Sequence, residues 1–146
     1  MKALVQKVKS SRVSVDGKIV NSIGKGLNVL LGVHNEDTPE DAIKLAKKVL
    51  NLRIFEDENG VMNKSILEEG GEILSISQFT LQADTKKGNR PSYINAMRGE
   101  DAIKLYEFFN EELNKEIKTY PGVFGADMTV QIENDGPTTI ILDTKA

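Results

Sequence analysis

Apolar and polar residues alternate through the first third of the chain in the two-residue period of strands. Leu4, Gln6 and Val8 interleave with Val5 and Lys7, and Val13-Ser14-Val15 continues the pattern. Asp16-Gly17, set between Val15 and Ile19, predicts a two-residue hairpin turn, because glycine accepts the positive φ such a turn requires. Leu27–Val33 is apolar at nearly every position, as a strand covered on both faces should be. The period then changes. Thr38-Pro39-Glu40-Asp41 predicts a helix start, with a capping threonine, a proline at the first helical position and two acids at the positive end of the dipole. Ala42, Ile43, Ala46, Val49 and Leu50 form its apolar stripe, with Lys44, Lys47 and Lys48 mostly outside.

Leu52–Phe55 predicts a short strand closed by the turn Asp57–Gly60, and Glu72–Phe79 alternates as a strand ending near Thr80. A polar loop from Gln82 to Arg98 leads to a second helix whose inner positions are Ala102, Ile103, Leu105, Tyr106, Phe109 and Leu113. Met128–Ile132 and Thr139–Leu142 predict two final strands joined by a turn at Asn134-Asp135-Gly136-Pro137. The expected fold is α/β in class: mixed, largely antiparallel and barrel-like sheets with two covering helices, in a single domain over residues 1–146.

Composition narrows the chemistry. The chain has 146 residues, no cysteine and one histidine, His34, so disulfides, thiolate metal sites and cysteine nucleophiles are excluded. No metal or cofactor is expected. Nineteen basic against 22 acidic residues leave a net charge of −3, which argues against a general DNA or RNA coat but permits contact with the end of an RNA through a local basic patch. The longest apolar run, Val29-Leu30-Leu31, is far too short to span a bilayer, and no secretion signal is visible in MKALVQKVKS. The reading is a cytoplasmic protein with neither a membrane nor DNA as partner.

Four features could carry chemistry. Ser77-Gln78-Phe79-Thr80 sits at a strand end, where free backbone N–H groups can hold an oxyanion, although hydroxyls there also satisfy local backbone. Gly136-Pro137 is either ordinary turn chemistry with a trans bond or a rigid corner whose carbonyls face a ligand. The loop Thr85–Tyr93 places Lys86, Lys87 and Arg90 near an aromatic ring, a pattern that suits phosphate and base contacts and also any wet loop. His34 could act as a base, but no G-x-S-x-G elbow accompanies it.

Taken together, Ser77-Gln78-Phe79-Thr80-Leu81 and Asn134-Asp135-Gly136-Pro137 resemble the two signature motifs of the D-aminoacyl-tRNA deacylases, also called D-tyrosyl-tRNA deacylases. The likeness extends to Arg53-Ile54-Phe55, Met62-Asn63-Lys64, Gly88-x-Arg90-Pro91-Ser92 and Phe124-Gly125-Ala126-Asp127-Met128. The resemblance implies a cytoplasmic homodimer that hydrolyses the ester joining a D-amino acid, or glycine, to the 3′ end of tRNA. It implies a cis Gly136-Pro137 bond that projects into the partner's site, captures the substrate's amino group and leaves no room for an L side chain. Ser77 and the catalytic set Gln78, Phe79 and Thr80 form the opposite wall. Two positions depart from the family pattern: Thr138 stands where valine is common, and Lys7, expected to support the corner, stands where arginine is common. Lysine carries the charge without the planar fork.

An aminoacyl ester is already reactive, so positioning and oxyanion stabilisation matter more than a strong nucleophile. Thr80 has no evident base beside it. The expected route is attack by water, assisted by the tRNA's own terminal 2′-hydroxyl, with N–H groups near Phe79 and Thr80 on the oxyanion. The rival readings are an RNA-end binding protein without catalysis, a small-molecule esterase using His34, and a purely structural dimer.

Overall fold

The computed structural model describes residues 1–146. A long strand β1 (Lys2–Val15) is the spine, and three strands pair with it antiparallel. On one side lie β2 (Lys18–Ile23), joined through Asp16-Gly17, and β3 (Gly26–Gly32). Both turn residues have the positive φ predicted for them, 51° and 77°. The helix α1 (Pro39–Asn51), the small hairpin β4 (Phe55–Glu56) and β5 (Met62–Lys64), and the one-turn helix α2 (Ile66–Glu69) follow. Then β6 (Glu72–Ser77) pairs parallel with β3, and after α3 (Gly99–Asn114) the short β7 (Thr119–Pro121) pairs parallel with β6. The final strand β8 (Thr129–Asp143) lies along the other side of β1. The sheet curls until β2 meets β7, where Asn21 Nδ2 donates to the carbonyl of Pro121 at 2.6 Å. The mixed, barrel-like sheet of the sequence reading is therefore observed.

Each face of this sheet has its own core. Ala3, Val5, Leu27, Val29, Leu31 and Ile73 face the helices, meeting Leu45 and Val49 of α1 and Phe109 and Leu113 of α3. Inside the curl, Val8, Val13, Ile23, Leu74 and Ile76 pack together. Being buried on both sides, β3 is apolar almost throughout, which is why Leu27–Val33 was legible as a central strand.

Four expectations need correction. The inner stripe of α1 is Ala42, Leu45, Ala46, Val49 and Leu50, with Ile43 exposed, because the i, i+3, i+4, i+7 face that starts at Ala42 takes in Leu45 and leaves Ile43 on its flank. The strand expected at Leu52–Phe55 survives only as Phe55–Glu56. Beyond the two expected helices there is α2, started by a capping box in which Glu68 N–H donates to Ser65 Oγ and Ser65 N–H donates to Glu68 Oε1. The two final strands are one strand, β8, and the predicted turn at Asn134–Pro137 falls on a bulge of Asp135–Thr138 within it.

The start of the chain is fastened inside. Met1 is fully buried, and its ammonium donates to Asp37 Oδ1 at 2.8 Å and to Thr144 Oγ1 at 2.9 Å. Asp37 Oδ2 accepts the backbone N–H of His34 at 2.7 Å. One carboxylate thus ties together the first residue, the connection into α1 and the tail after β8.

Candidate active site

Strand β6 stops at Ser77 because its last bond, Gln78 N–H to Leu31 O at 2.7 Å, is followed by a turn of 3-10 helix over Phe79–Gln82. The first bond of that turn runs from Leu81 N–H to Gln78 O at 3.2 Å. The N–H groups of Phe79 and Thr80 precede it and have no partner in the turn, as at any helix start. Gln78 Nε2 donates to Thr80 Oγ1 at 2.6 Å, so the hydroxyl is held by an amide and not by a base. Buried Gln82 anchors the turn from below, its Nε2 donating to Gly32 O at 2.8 Å.

Gly32 lets this turn sit where it does. A Cβ there would lie 2.8 Å from Leu81 Cβ and 3.0 Å from Gln78 O. Gly32→Ala should push the Phe79–Gln82 turn off β3. We expect kcat to fall about tenfold or more, from an angstrom-scale displacement of the N–H groups, with a melting temperature only a few degrees lower. A variant with wild-type kcat would show that the turn's seating on β3 does not matter.

The ring of Phe79 stands at the surface between two residues of the following loop. Tyr93 meets it edge-on with centroids 5.2 Å apart, and the Arg98 guanidinium lies 5.3 Å from its centroid. The loop itself is pinched shut by the reciprocal Asp84–Ser92 backbone bonds, 2.8 and 2.9 Å, which leave Lys86, Lys87 and Arg90 exposed in its tip. His34 is occupied otherwise: its Nδ1 accepts the backbone N–H of Glu36 at 3.1 Å.

The second motif is on the far strand. Gln6 pairs with Thr139 and Val8 with Asn134, so four residues of β8, Asp135–Thr138, face the single residue Lys7. This bulge lifts Gly136 and Pro137 to the surface and turns Thr138 inward. The Gly136-Pro137 bond is cis, as the resemblance implies and unlike the ordinary trans turn. Gly136 has φ 118°, where an L side chain is strained, and a Cβ there would lie 2.8 Å from Thr138 Oγ1. Lys7 is buried beneath the bulge, in none of the chain's ion pairs, with its ammonium 6.0 Å from the centroid of Phe55.

The two motifs do not meet within one chain. Ser77 lies in register with Leu31, Ala3 and Leu142, whereas the corner lies opposite Lys7, Leu27 and Ile73. Measured along the sheet, three strand spacings and four residues separate them by about 20 Å. Sequence reasoning placed both motifs but missed Gly32 and Gln82, which seat the turn; a glycine ending an otherwise bulky strand was the available signal.

The chain is similar to known proteins along nearly its whole length. The family model described as D-Tyr-tRNA(Tyr) deacylase matches residues 4–143. A D-aminoacyl-tRNA deacylase of Clostridium botulinum (strain Langeland / NCTC 10281 / Type F) is 59% identical over 146 residues, covering 99% of this chain and 98% of that protein. The solved structure titled "c-Myc DNA Unwinding Element Binding Protein" superposes with a TM-score of 0.95 at 45% identity over 100% of both chains. A probable eukaryotic D-amino acid tRNA deacylase superposes at 0.81 with 18% identity over 97% of both, a likeness of fold.

Proposed function

The chain belongs to the D-Tyr-tRNA(Tyr) deacylase family and is a hydrolase of D-aminoacyl-tRNA, and from that premise we propose that it works as a cytoplasmic homodimer whose two motifs meet between subunits. The observation that carries this reading is the separation of about 20 Å between the Gly136-Pro137 corner and the Ser77–Thr80 strand end. The corner is exposed and the strand end partly so, each is unmatched in its own chain, and a two-fold pairing would bring each against its counterpart. Buried Lys7, opposite the bulge, supports the corner from beneath.

In this reading the terminal aminoacyl-adenosine lies along Ser77 and Gln78, with its carbonyl toward the free N–H groups of Phe79 and Thr80. Water adds to the carbonyl carbon, and the negative charge on the carbonyl oxygen falls on those two donors. The tetrahedral centre then expels the 3′-oxygen of the ribose, which takes up a proton; the tRNA's 2′-hydroxyl assists the transfer. Thr80, whose Oγ1 is held by Gln78, positions the substrate and does not attack. Lys86, Lys87 and Arg90 contact RNA from the loop tip.

Selection by hand follows from what stands opposite the carbonyl. Inverting the α-carbon exchanges a hydrogen for a side chain, and a clash worth ~4 kcal/mol gives about a thousandfold preference. Backbone holds that clash better than rotatable side chains do. Glycine offers nothing to reject, so glycyl-tRNA is a substrate as well. The test is release of free amino acid from D-Tyr-tRNA, L-Tyr-tRNA and Gly-tRNA: the first and third should be cleaved, the second spared. An esterase built on His34 makes the opposite forecast for His34→Ala. Because the imidazole is engaged with its own backbone turn, we expect this variant to hydrolyse 3′-D-tyrosyl-adenosine within twofold of the wild-type rate.

A further inference from the structure

We infer that the tRNA backbone, beyond its terminal adenosine, lies in a lysine-edged double groove running from the strand-end turn across to α1. The inference rests on the deacylase reading and extends it to a surface outside both motifs.

Two open grooves lie side by side at this end of the molecule. One, of about 350 Å³, is lined by Lys2, Gln82, Asp84, Lys86 and Lys145. The other, of about 480 Å³, is lined by Lys44, Lys47, Lys48, Asn51, Leu142 and Thr144. Asp143 borders both, so they form one continuous track. The track starts at the candidate site, where Lys2 Nζ donates to the carbonyl of Leu81 in the Phe79–Gln82 turn at 3.4 Å.

The charges along it are not spent internally. Lys44, Lys47 and Lys48 occupy the face of α1 opposite the buried stripe, are exposed, and take part in no ion pair. Their i, i+3, i+4 spacing sets like charges side by side, an arrangement that costs the isolated helix and that an anion relieves. Lys145 does not count, because its ammonium is shared between Asp37 and Asp41 at 3.5 and 3.6 Å. The two bordering aspartates are partly occupied: Asp84 Oδ1 accepts the N–H of Lys86, and Asp143 Oδ1 accepts that of Lys145. Five available lysines against two aspartates leave a surplus of three, in a chain whose net charge is −3. Cations strung along an open track, not converging in an enclosed cavity, fit a polyphosphate chain better than a single small anion.

The test uses the triple variant Lys44→Ala/Lys47→Ala/Lys48→Ala, which changes only exposed side chains. Fluorescence anisotropy with uncharged tRNA reads the groove independently of catalysis, and hydrolysis of D-Tyr-tRNA beside 3′-D-tyrosyl-adenosine reads it in turnover. We expect tRNA affinity at about 50 mM salt to fall at least tenfold. The slope of log affinity against log salt should shrink by about two, for two or three lost phosphate contacts. kcat/KM should drop on the tRNA ester and stay level on the adenosine ester. Unchanged tRNA affinity overturns the inference, as does an equal loss on both esters. Duplex DNA competing as well as tRNA also overturns it, reducing the groove to a general polyanion patch. A wild-type protein that binds tRNA through these lysines but cleaves neither ester would instead overturn the deacylase reading and leave the groove standing.

Discussion

Gly136→Ala should abolish turnover, with a loss of at least a hundredfold on D-aminoacyl-tRNA, while the protein stays folded. At φ 118° an L side chain is strained, and the new Cβ would lie 2.8 Å from Thr138 Oγ1 and 3.1 Å from Thr138 N. The corner has to move. It can do so without breaking the sheet, because the bulge makes no ladder bonds to preserve and both corner residues are exposed. The companion variant is Phe79→Pro. Proline fits the first position of a helical turn and removes one proposed oxyanion donor, a loss usually worth about 10²–10³ in kcat. Each homodimer should be nearly inactive. Mixed chains should regain activity, since a heterodimer carries both lesions in one site and neither in the other; random exchange gives about a quarter of the wild-type sites. Mixtures as inactive as their parents would mean that corner and strand end serve the same site from one chain, and the proposed dimer would be wrong.

The second large effect concerns the fold. Asp37→Ala should cost about 3–5 kcal/mol, because removing one partner of a buried pair leaves the other charge uncompensated. The Met1 ammonium would keep only the Thr144 hydroxyl, and the His34 N–H would lose its acceptor. For a domain of this length the melting temperature should drop by about 10 °C or more. Asp37→Asn separates the causes: the carboxamide can still accept one of the two bonds but carries no charge, so an intermediate loss is expected. A melting temperature within a few degrees of wild type for Asp37→Ala would show that the pair contributes little.

Much of this architecture could be read in the sequence where local period and burial agree. The stripe of α1 was found to within one residue, and Asp16-Gly17 could scarcely be anything but a hairpin turn. The α2 start was also legible, since Ser65-x-x-Glu68 is a capping box, but four residues give no period to notice. Elsewhere local signals misled. The alternation breaks at the polar pair Ser77-Gln78, but apolar Phe79 directly beyond it masks the end of the strand, which Gly32 and Gln82, distant in sequence, decide. Asn-Asp-Gly-Pro is good turn chemistry, and only the length of β1 available for pairing on both sides of it makes it a bulge. Lys7 illustrates the same limit. Its burial follows from lying beneath that bulge, a fact about register that no count of neighbouring residues contains.

That bulge has a consequence for solubility. Strand β8 runs fifteen residues with β1 as its sole partner, leaving a long row of unpaired backbone groups along the sheet's outer margin. Such a margin is a template on which a foreign strand can grow, and from there a fibril. Here the row is cut in the middle by a proline that has no N–H to offer and by four residues that leave the line. No straight segment of stray polypeptide can zip along both halves, so the feature that presents the corner also guards the protein against runaway self-association.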